Sequence, residues 1–342
     1  MKNLSKVLIL MLILLVFYGC KSFNILTSAK KSAQGSPYEV LVVCDNREWE
    51  GAVGENLRSL FSTQVKGINQ SEPMFSTVRI TASDFKGLLP DYRNILKVLC
   101  SPSVKECSIL ARYDVTASPQ IELTFQGPSQ KAMVEYLNQH GGELLQVLEI
   151  AERDRTINFA TKHGERSVEE ILRKKFDIEM AVPKGYIFRA QSDSFVWISH
   201  EYPMASQGFF IYSRPYNGKQ DISTKALVKA RNEFAKRIPG PSDGSYMTTV
   251  EKIPNLENDG YVPFEPERKA VRINGRSWIE LRGLWEVEND FMGGPFVSYT
   301  TLDERTNRLI TLDCYVYSPK YGKRNHLRAL EHLVYVISFP EK

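Results

Sequence analysis

The stretch AVRINGRSWIELRGLWEV, residues 270–287, decides the fold class. Asn274–Gly275 is a pair favoured where two strands meet in a two-residue turn, because both central positions of that turn need positive φ. Residues 270–273 therefore enter a hairpin and residues 277–287 leave it, with partial alternation of apolar and polar side chains and with Gly283 marking a bulge. Residues 295–302 and 309–317 repeat the arrangement around DERTN (303–307). A meander of this kind is antiparallel. It is followed by a helix over 325–337 with Leu327, Leu330, Val334 and Ile337 on one stripe.

Working back from the meander, IEMAVP (178–183), a Lys184–Gly185 turn and YIFRA (186–190) read as two strands, and 195–200 and 208–213 as two more. Residues 223–237 form an amphipathic helix that IPGPSDG (238–244) terminates, since proline cannot continue a helix. The earlier part mixes element types. A strand, Tyr38 to Cys44, runs into Asp45 and Glu48 at capping-box spacing. The helix they open carries Trp49, Val53, Leu57, Leu60 and Phe61 at helical intervals. Strands are predicted at 75–80, 94–100 and 121–126, then a long helical segment from Ser129 to about Arg155. Gly141–Gly142 is expected to break or kink that segment, because glycine costs about 1 kcal/mol in a helix interior. Ser167 and Glu170, again at capping-box spacing, open a helix ending at Phe176. The class is α+β. Two mixed α/β domains are expected, 37–165 and 166–342, the C-terminal one an antiparallel β-meander sheet packed with helices.

The N-terminus specifies an address. Lys2 and Lys6 flank the start of an apolar run, Val7 to Phe17, and Gly19–Cys20 follows. A positive n-region, an apolar h-region and a small residue at the break make a secretory signal. The run is too short to span a membrane, which takes about 20 residues. A cysteine at the break receives a lipid before cleavage. Residues 1–19 are thus expected to be a lipoprotein signal peptide, Cys20 the lipidated residue and 20–36 a flexible tether. The expected location is the bacterial outer membrane, facing the periplasm, with the lipid as the membrane partner.

With 44 basic and 40 acidic residues the chain lacks the basic field that nucleic-acid binding requires, so nucleic acid is not expected as a partner. Cys44, Cys100, Cys107 and Cys314 remain beside Cys20. Cys100 and Cys107 flank the turn-like SPSVKE and are either a small-loop disulfide or two free thiols. No CxxC spacing supports a zinc or redox site, and His326 and His332 are too far apart in sequence for a helical metal pair. His200–Glu201 reads as an exposed pair at a strand end. GPSDG (240–244) is a turn rather than a nucleophile elbow, and neither a phosphate loop nor a calcium loop is present. Cys44, at a strand-to-helix junction, is either an activated thiol or a buried strand residue. No catalytic, cofactor-binding or metal residue can be assigned, and no cofactor is expected. Trp197, Trp278, Trp285, Tyr212, Tyr216, Tyr315 and Tyr317 could line a sugar- or peptide-binding face or simply fill the core.

WEGAVGENLRSLF (49–61), SEPMF (71–75) and DFKGLLPDYRNILKV (84–98) resemble segments of an uncharacterised Bacteroidota lipoprotein family, a domain of unknown function of the DUF4837 type. The run KKFDIEMAVPKGY…DSFVW…GFFIYSRPY (174–216) does so as well. The resemblance covers nearly the whole chain after the signal and implies a lipoprotein of two parts with no assigned activity. The C-terminal half also looks like the PsbP/Mog1-type αβα sandwich, which implies partner binding rather than catalysis. Two functions of different class follow. One is a non-catalytic protein binding an envelope protein or glycan. The other is an envelope hydrolase of glycan or peptide, which would need a cleft holding a carboxyl group of raised pKa.

Overall fold

The computed structural model describes residues 30–255 and 257–340. Cys20, the signal and the first part of the expected tether lie outside them. Residues 30–36, the end of that tether, are laid against the protein. Lys31–Ser32 pairs in parallel with Ala117–Ser118, and Gln34 bridges Tyr92.

The N-terminal sheet is built from β1 (Glu39–Val43), β2 (Ser76–Ile80), β3 (Asn94–Cys100), β4 (Ser108–Tyr113) and β5 (Ile121–Gly127), with α1 (Ala52–Phe61) between β1 and β2. Strand order is β2-β1-β3-β5-β4, parallel except for the edge strand β4. Strand β4 escapes the sequence reading because its side chains are mostly exposed and carry no clear alternation. The helix expected from Trp49 onward is divided into Asn46–Trp49 and α1. Asp45 does not close a capping box. Its carboxylate instead accepts from the Ala82 amide, 3.2 Å away. Gly54 permits the break, since a Cβ there would lie 1.9 Å from the Trp49 carbonyl oxygen.

α2 (Gln130–Lys162) begins at Ser129, whose hydroxyl accepts from the Ala132 amide, and runs through Gly141–Gly142 without interruption. The expected break fails for a packing reason. Leu60 of α1 seats against Gly141, where a Cβ would come within 3.2 Å of it, so close approach of α1 and α2 outweighs the helix propensity cost. Val53, Leu57 and Phe61 of α1 meet Met133, Leu137, Leu144 and Leu148 of α2 over the sheet in one core.

α3 (Arg166–Phe176) follows, with Glu165 rather than Ser167 at its N-cap. The second sheet then comprises β6 (Ile187–Ser192), β7 (Phe195–Tyr202), β8 (Ala205–Pro215), β9 (Met247–Thr249), β10 (Glu267–Ile273), β11 (Arg276–Val287), β12 (Gly293–Asp303) and β13 (Arg308–Tyr317). α4 (Thr224–Ala235) lies between β8 and β9, and α5 (Arg324–Glu331) closes the series. The order is β9-β11-β12-β13-β8-β7-β6, with β10 also on β11, all antiparallel. Asn274 and Gly275 both have positive φ, as the hairpin demands. Gly283 is not a bulge, because its pairing with Phe296 keeps register. Its missing side chain makes room for the Phe296 ring. The final α-helix stops at Glu331 and continues as a 3₁₀ turn to Val336.

Alternation along the strands gives this sheet two apolar faces. Phe209 and Ile211 of β8 join Leu172 of α3 and Leu327 and Leu330 of α5 on one side. Phe210 and Tyr212 join Leu227 and Phe234 of α4 on the other. The half is a three-layer αβα arrangement. α4 is also held by a buried ion pair, Arg231 Nε to Asp313 Oδ2 at 3.0 Å, with the guanidinium 3.7 Å above the Phe296 ring. The two halves are joined by polar contacts. Glu72 caps α5 across the junction, accepting from the Lys323 amide at 2.6 Å and the Arg324 amide at 3.0 Å. His332 lies 3.1 Å from the Tyr38 hydroxyl, which lies 3.1 Å from Glu149.

Candidate functional site

Beyond the C-terminal end of α4 the sheet face is uncovered, and a cavity of about 550 Å³ opens there. Its floor is aromatic. Trp197 comes from β7, Trp285 from β11 and Tyr315 and Tyr317 from β13; Met204, Met292 and the Pro239–Pro241 turn form walls. Four of the aromatic residues singled out from the sequence therefore converge. The other three do not: Trp278 is on the opposite face, Tyr212 is sealed beneath α4, and Tyr216 lies beyond β8 and outside this lining.

Parity explains the split. Trp278 and Trp285 are an odd number of residues apart on β11 and so face opposite ways, whereas Tyr315 and Tyr317 are two apart and share a face. Cross-strand register then sets Tyr315 opposite Gly208 of β8. A Cβ at Gly208 would stand 2.5 Å from the Tyr315 hydroxyl, so only glycine lets that ring lie flat on β8. The Trp197 indole donates to the Tyr315 oxygen at 2.7 Å, and the Trp285 indole donates to the Val316 carbonyl at 3.2 Å. Both indole donors are thus spent within the wall. What the cavity offers a ligand is mainly apolar surface, in a volume suited to a small ligand or one peptide segment. The methionine and proline walls were not visible in the sequence. IPGPSDG was legible as a helix terminator, and its second role as a cavity wall depends on where β11 and β13 lie.

The remaining candidates are placed elsewhere. Cys44 is buried, and burial pushes its thiol up to about 12, which removes it as a nucleophile. Cys100 and Cys107 lie at the two ends of the 101–106 loop, both as free thiols in this structure. Each is pushed up in pKa, chiefly by burial. His326 donates from Nδ1 to Gln207 Oε1 at 2.6 Å, and its pKa is lowered by burial. Among the described residues no three His, Cys, Asp or Glu side chains are grouped to hold a metal.

A larger cleft of about 730 Å³ lies between the halves, with Arg93, Glu152, Arg155, Lys162 and His163 on one side and Lys184 and His200 on the other. Glu152 accepts from Arg93 at 2.7 Å, from Arg155 at 2.9 Å and from Asn94 at 2.7 Å. The carboxyl groups whose pKa is raised lie outside both hollows. Asp313, pushed up to about 6 by burial against the pull of Arg231, is sealed under α4. Glu286, raised by burial and by Glu288, is at the far end of β11.

The chain belongs to the family described as Domain of unknown function (DUF4837), whose model matches residues 165–336, half of the chain. Residues 33–160 match a second description, Domain of unknown function (DUF8532). No functionally curated protein matches the chain. Among solved structures it is similar to the Saccharomyces cerevisiae Ran-binding protein Mog1p, at 12% identity and TM-score 0.30, over 48% of this chain and 90% of that one. It is also similar to LpqN of Mycobacterium tuberculosis, described as involved in cell envelope biogenesis, at 13% identity and TM-score 0.27, over 47% and 82%. A protein of Bacteroides thetaiotaomicron is similar at 11% identity and TM-score 0.26, over 48% and 46%. Among the described residues no helix is long and apolar enough to cross a membrane.

Proposed function

We propose that this chain is a non-catalytic binding protein of the bacterial envelope, anchored by acyl groups on Cys20 at the periplasmic face of the outer membrane. Its aromatic cavity takes an apolar segment of an envelope partner protein. The observation that carries the reading is the convergence of Trp197, Trp285, Tyr315 and Tyr317 with methionine and proline walls. A floor whose indole donors are already bonded recognises a partner chiefly by burying its apolar surface, at roughly 25 cal/mol per Å². A glycan would ask for more free donors and acceptors than this floor supplies. The hydrolase reading ranks second, because the carboxyl groups of raised pKa lie apart from both hollows.

Two measurements test the reading. A photo-crosslinking amino acid at Met204, on the cavity rim, should yield one discrete protein adduct in intact cells, and Met292→Lys should abolish it. An adduct that survives Met292→Lys, or none in envelopes where the protein is abundant, would count against the cavity as the binding site. Mass spectrometry of the native protein should find a mature N-terminus at Cys20 carrying a diacylglyceryl group. An intact leader or an unmodified Cys20 sulfur would remove the anchor.

A further inference from the structure

The cleft between the halves carries an excess of positive charge. Four cationic side chains line it (Arg93, Arg155, Lys162 and Lys184), together with His163 and His200, against one carboxylate, Glu152. The arginines are not equivalent. Arg155 is engaged at every nitrogen, donating to the Pro119 and Arg93 carbonyls, to Asn94 and to Glu152. Arg93 gives Nη2 to Glu152, but its Nε is buried without a partner among the described residues. A buried donor left unmade costs about 1–3 kcal/mol, which leaves Arg93 the less satisfied of the two arginines. Burial, opposed by Glu152 and aided by Arg93, lowers the Arg155 guanidinium to about 10, which a further negative charge nearby would relieve.

The arrangement points to a ligand rather than to a solvated charged face. The cations come from both halves of the chain and close on one hollow, which also holds the exposed rings of Phe159 and Tyr202. His200 stacks on Tyr202 at 4.3 Å between centroids, and the Phe159 and His163 rings lie 5.1 Å apart, so each half presents an aromatic plane beside its cations. Flat apolar planes next to forked and point-charge donors suit a ring-shaped molecule bearing an oxyanion.

We propose that this cleft binds an anionic sugar. Arg93, Lys162 and His163 from the N-terminal half and Lys184 and His200 from the C-terminal half hold its phosphate or carboxylate, and Phe159 and Tyr202 flank its ring. The site shares the Tyr202 ring with the aromatic cavity but does not depend on the partner assigned there.

The test uses the purified full chain with glucose 6-phosphate, glucuronate and glucose as probes, followed by the imidazole proton resonances of His163 and His200 in NMR titrations. At least one charged sugar should shift both histidines saturably, and glucose should shift neither. A response to glucose 6-phosphate alone assigns a phosphate, and one to glucuronate alone a carboxylate. The double variant Lys162→Ala/Lys184→Ala changes two exposed side chains and should weaken binding by about tenfold or more. Absence of shifts with both charged sugars at millimolar concentration, equal shifts with glucose, or unchanged affinity in the double variant would each overturn the proposal.

Discussion

The two hollows of this protein are built differently. The aromatic cavity is made by the C-terminal half alone, on the stretch of sheet that α4 leaves bare, and its indole donors are bonded within the wall. The cationic cleft needs both halves, and its walls are aligned across a junction that includes polar contacts such as Glu72 to α5 and Tyr38 to His332. A cavity cut into one packed core is preformed, because its shape follows from strand register. One formed at a junction depends on charged and hydrogen-bonded groups, which respond to pH and to loss of a single partner. Tyr202, which lines both, is the shared partition.

The largest expected effect separates the two. Asp313→Ala leaves Arg231 charged and unpaired beneath α4, and urea unfolding should report a loss of about 3–5 kcal/mol, with the aromatic cavity disordered. Replacing both partners, Arg231→Met with Asp313→Leu, should recover most of that loss. A single variant as stable as the parent would show that the pair does not hold α4.

Glu331 plays the matching part next to the junction. It accepts from Arg282 at 2.6 Å and from Arg328 at 2.9 Å, and Arg328 in turn lies 3.5 Å from Glu149 of the other half. Glu331→Gln should cost about 3 kcal/mol and disturb the His163 and His200 resonances while leaving Trp197 and Trp285 fluorescence close to the parent. Equal disturbance of both hollows would erase the distinction.

The same carboxylate sets a pH dependence. Burial would raise its pKa, but Arg282 and Arg328 outweigh burial and hold it at about 2, below the ordinary 4.5. A carboxylate depressed in the folded state contributes stability that is complete above its unfolded pKa and is lost as pH falls through the folded one. Thermal unfolding should therefore show stability constant above about pH 5 and declining by about 2 kcal/mol between pH 4.5 and 2 from this group. Glu331→Gln should flatten that part of the profile, and an unchanged acid limb would assign the loss to other groups.

Gly208→Ala tests the aromatic floor. The added methyl meets the Tyr315 hydroxyl and the Ile198 carbonyl, so about 1–2 kcal/mol should be lost, with a shifted near-ultraviolet signal from Trp197. The smallest stability change is expected for Tyr202→Ala, under about 1 kcal/mol at a partly exposed ring. That variant should nonetheless weaken ligands at both hollows, and an effect on one alone would mean that Tyr202 is not a common wall.

Much of this molecule is a local matter. The positive-φ demand of a two-residue turn selects Asn274–Gly275, and period-2 and helical stripes place most strands and helices within a residue or two. Those signals live in neighbouring residues, so one chain displays them. Parity alone already sets Trp278 and Trp285 on opposite faces. The capping boxes at Asp45 and Ser167 did not form: Asp45 turned to the distant Ala82 amide, and α3 starts one residue before Ser167 with Glu165 at its N-cap. The passage of α2 through Gly141 rests on Leu60, which arrives from another helix.

Short-range periodicity thus determined element type, the antiparallel C-terminal sheet and the number of faces to be covered. Cross-strand register determined which four aromatic rings meet, and the junction between the two halves brought Arg93 and Lys162 to face Lys184 and His200. Such neighbours are set by contacts between residues far apart along the chain, and no periodicity in a single sequence encodes that pairing.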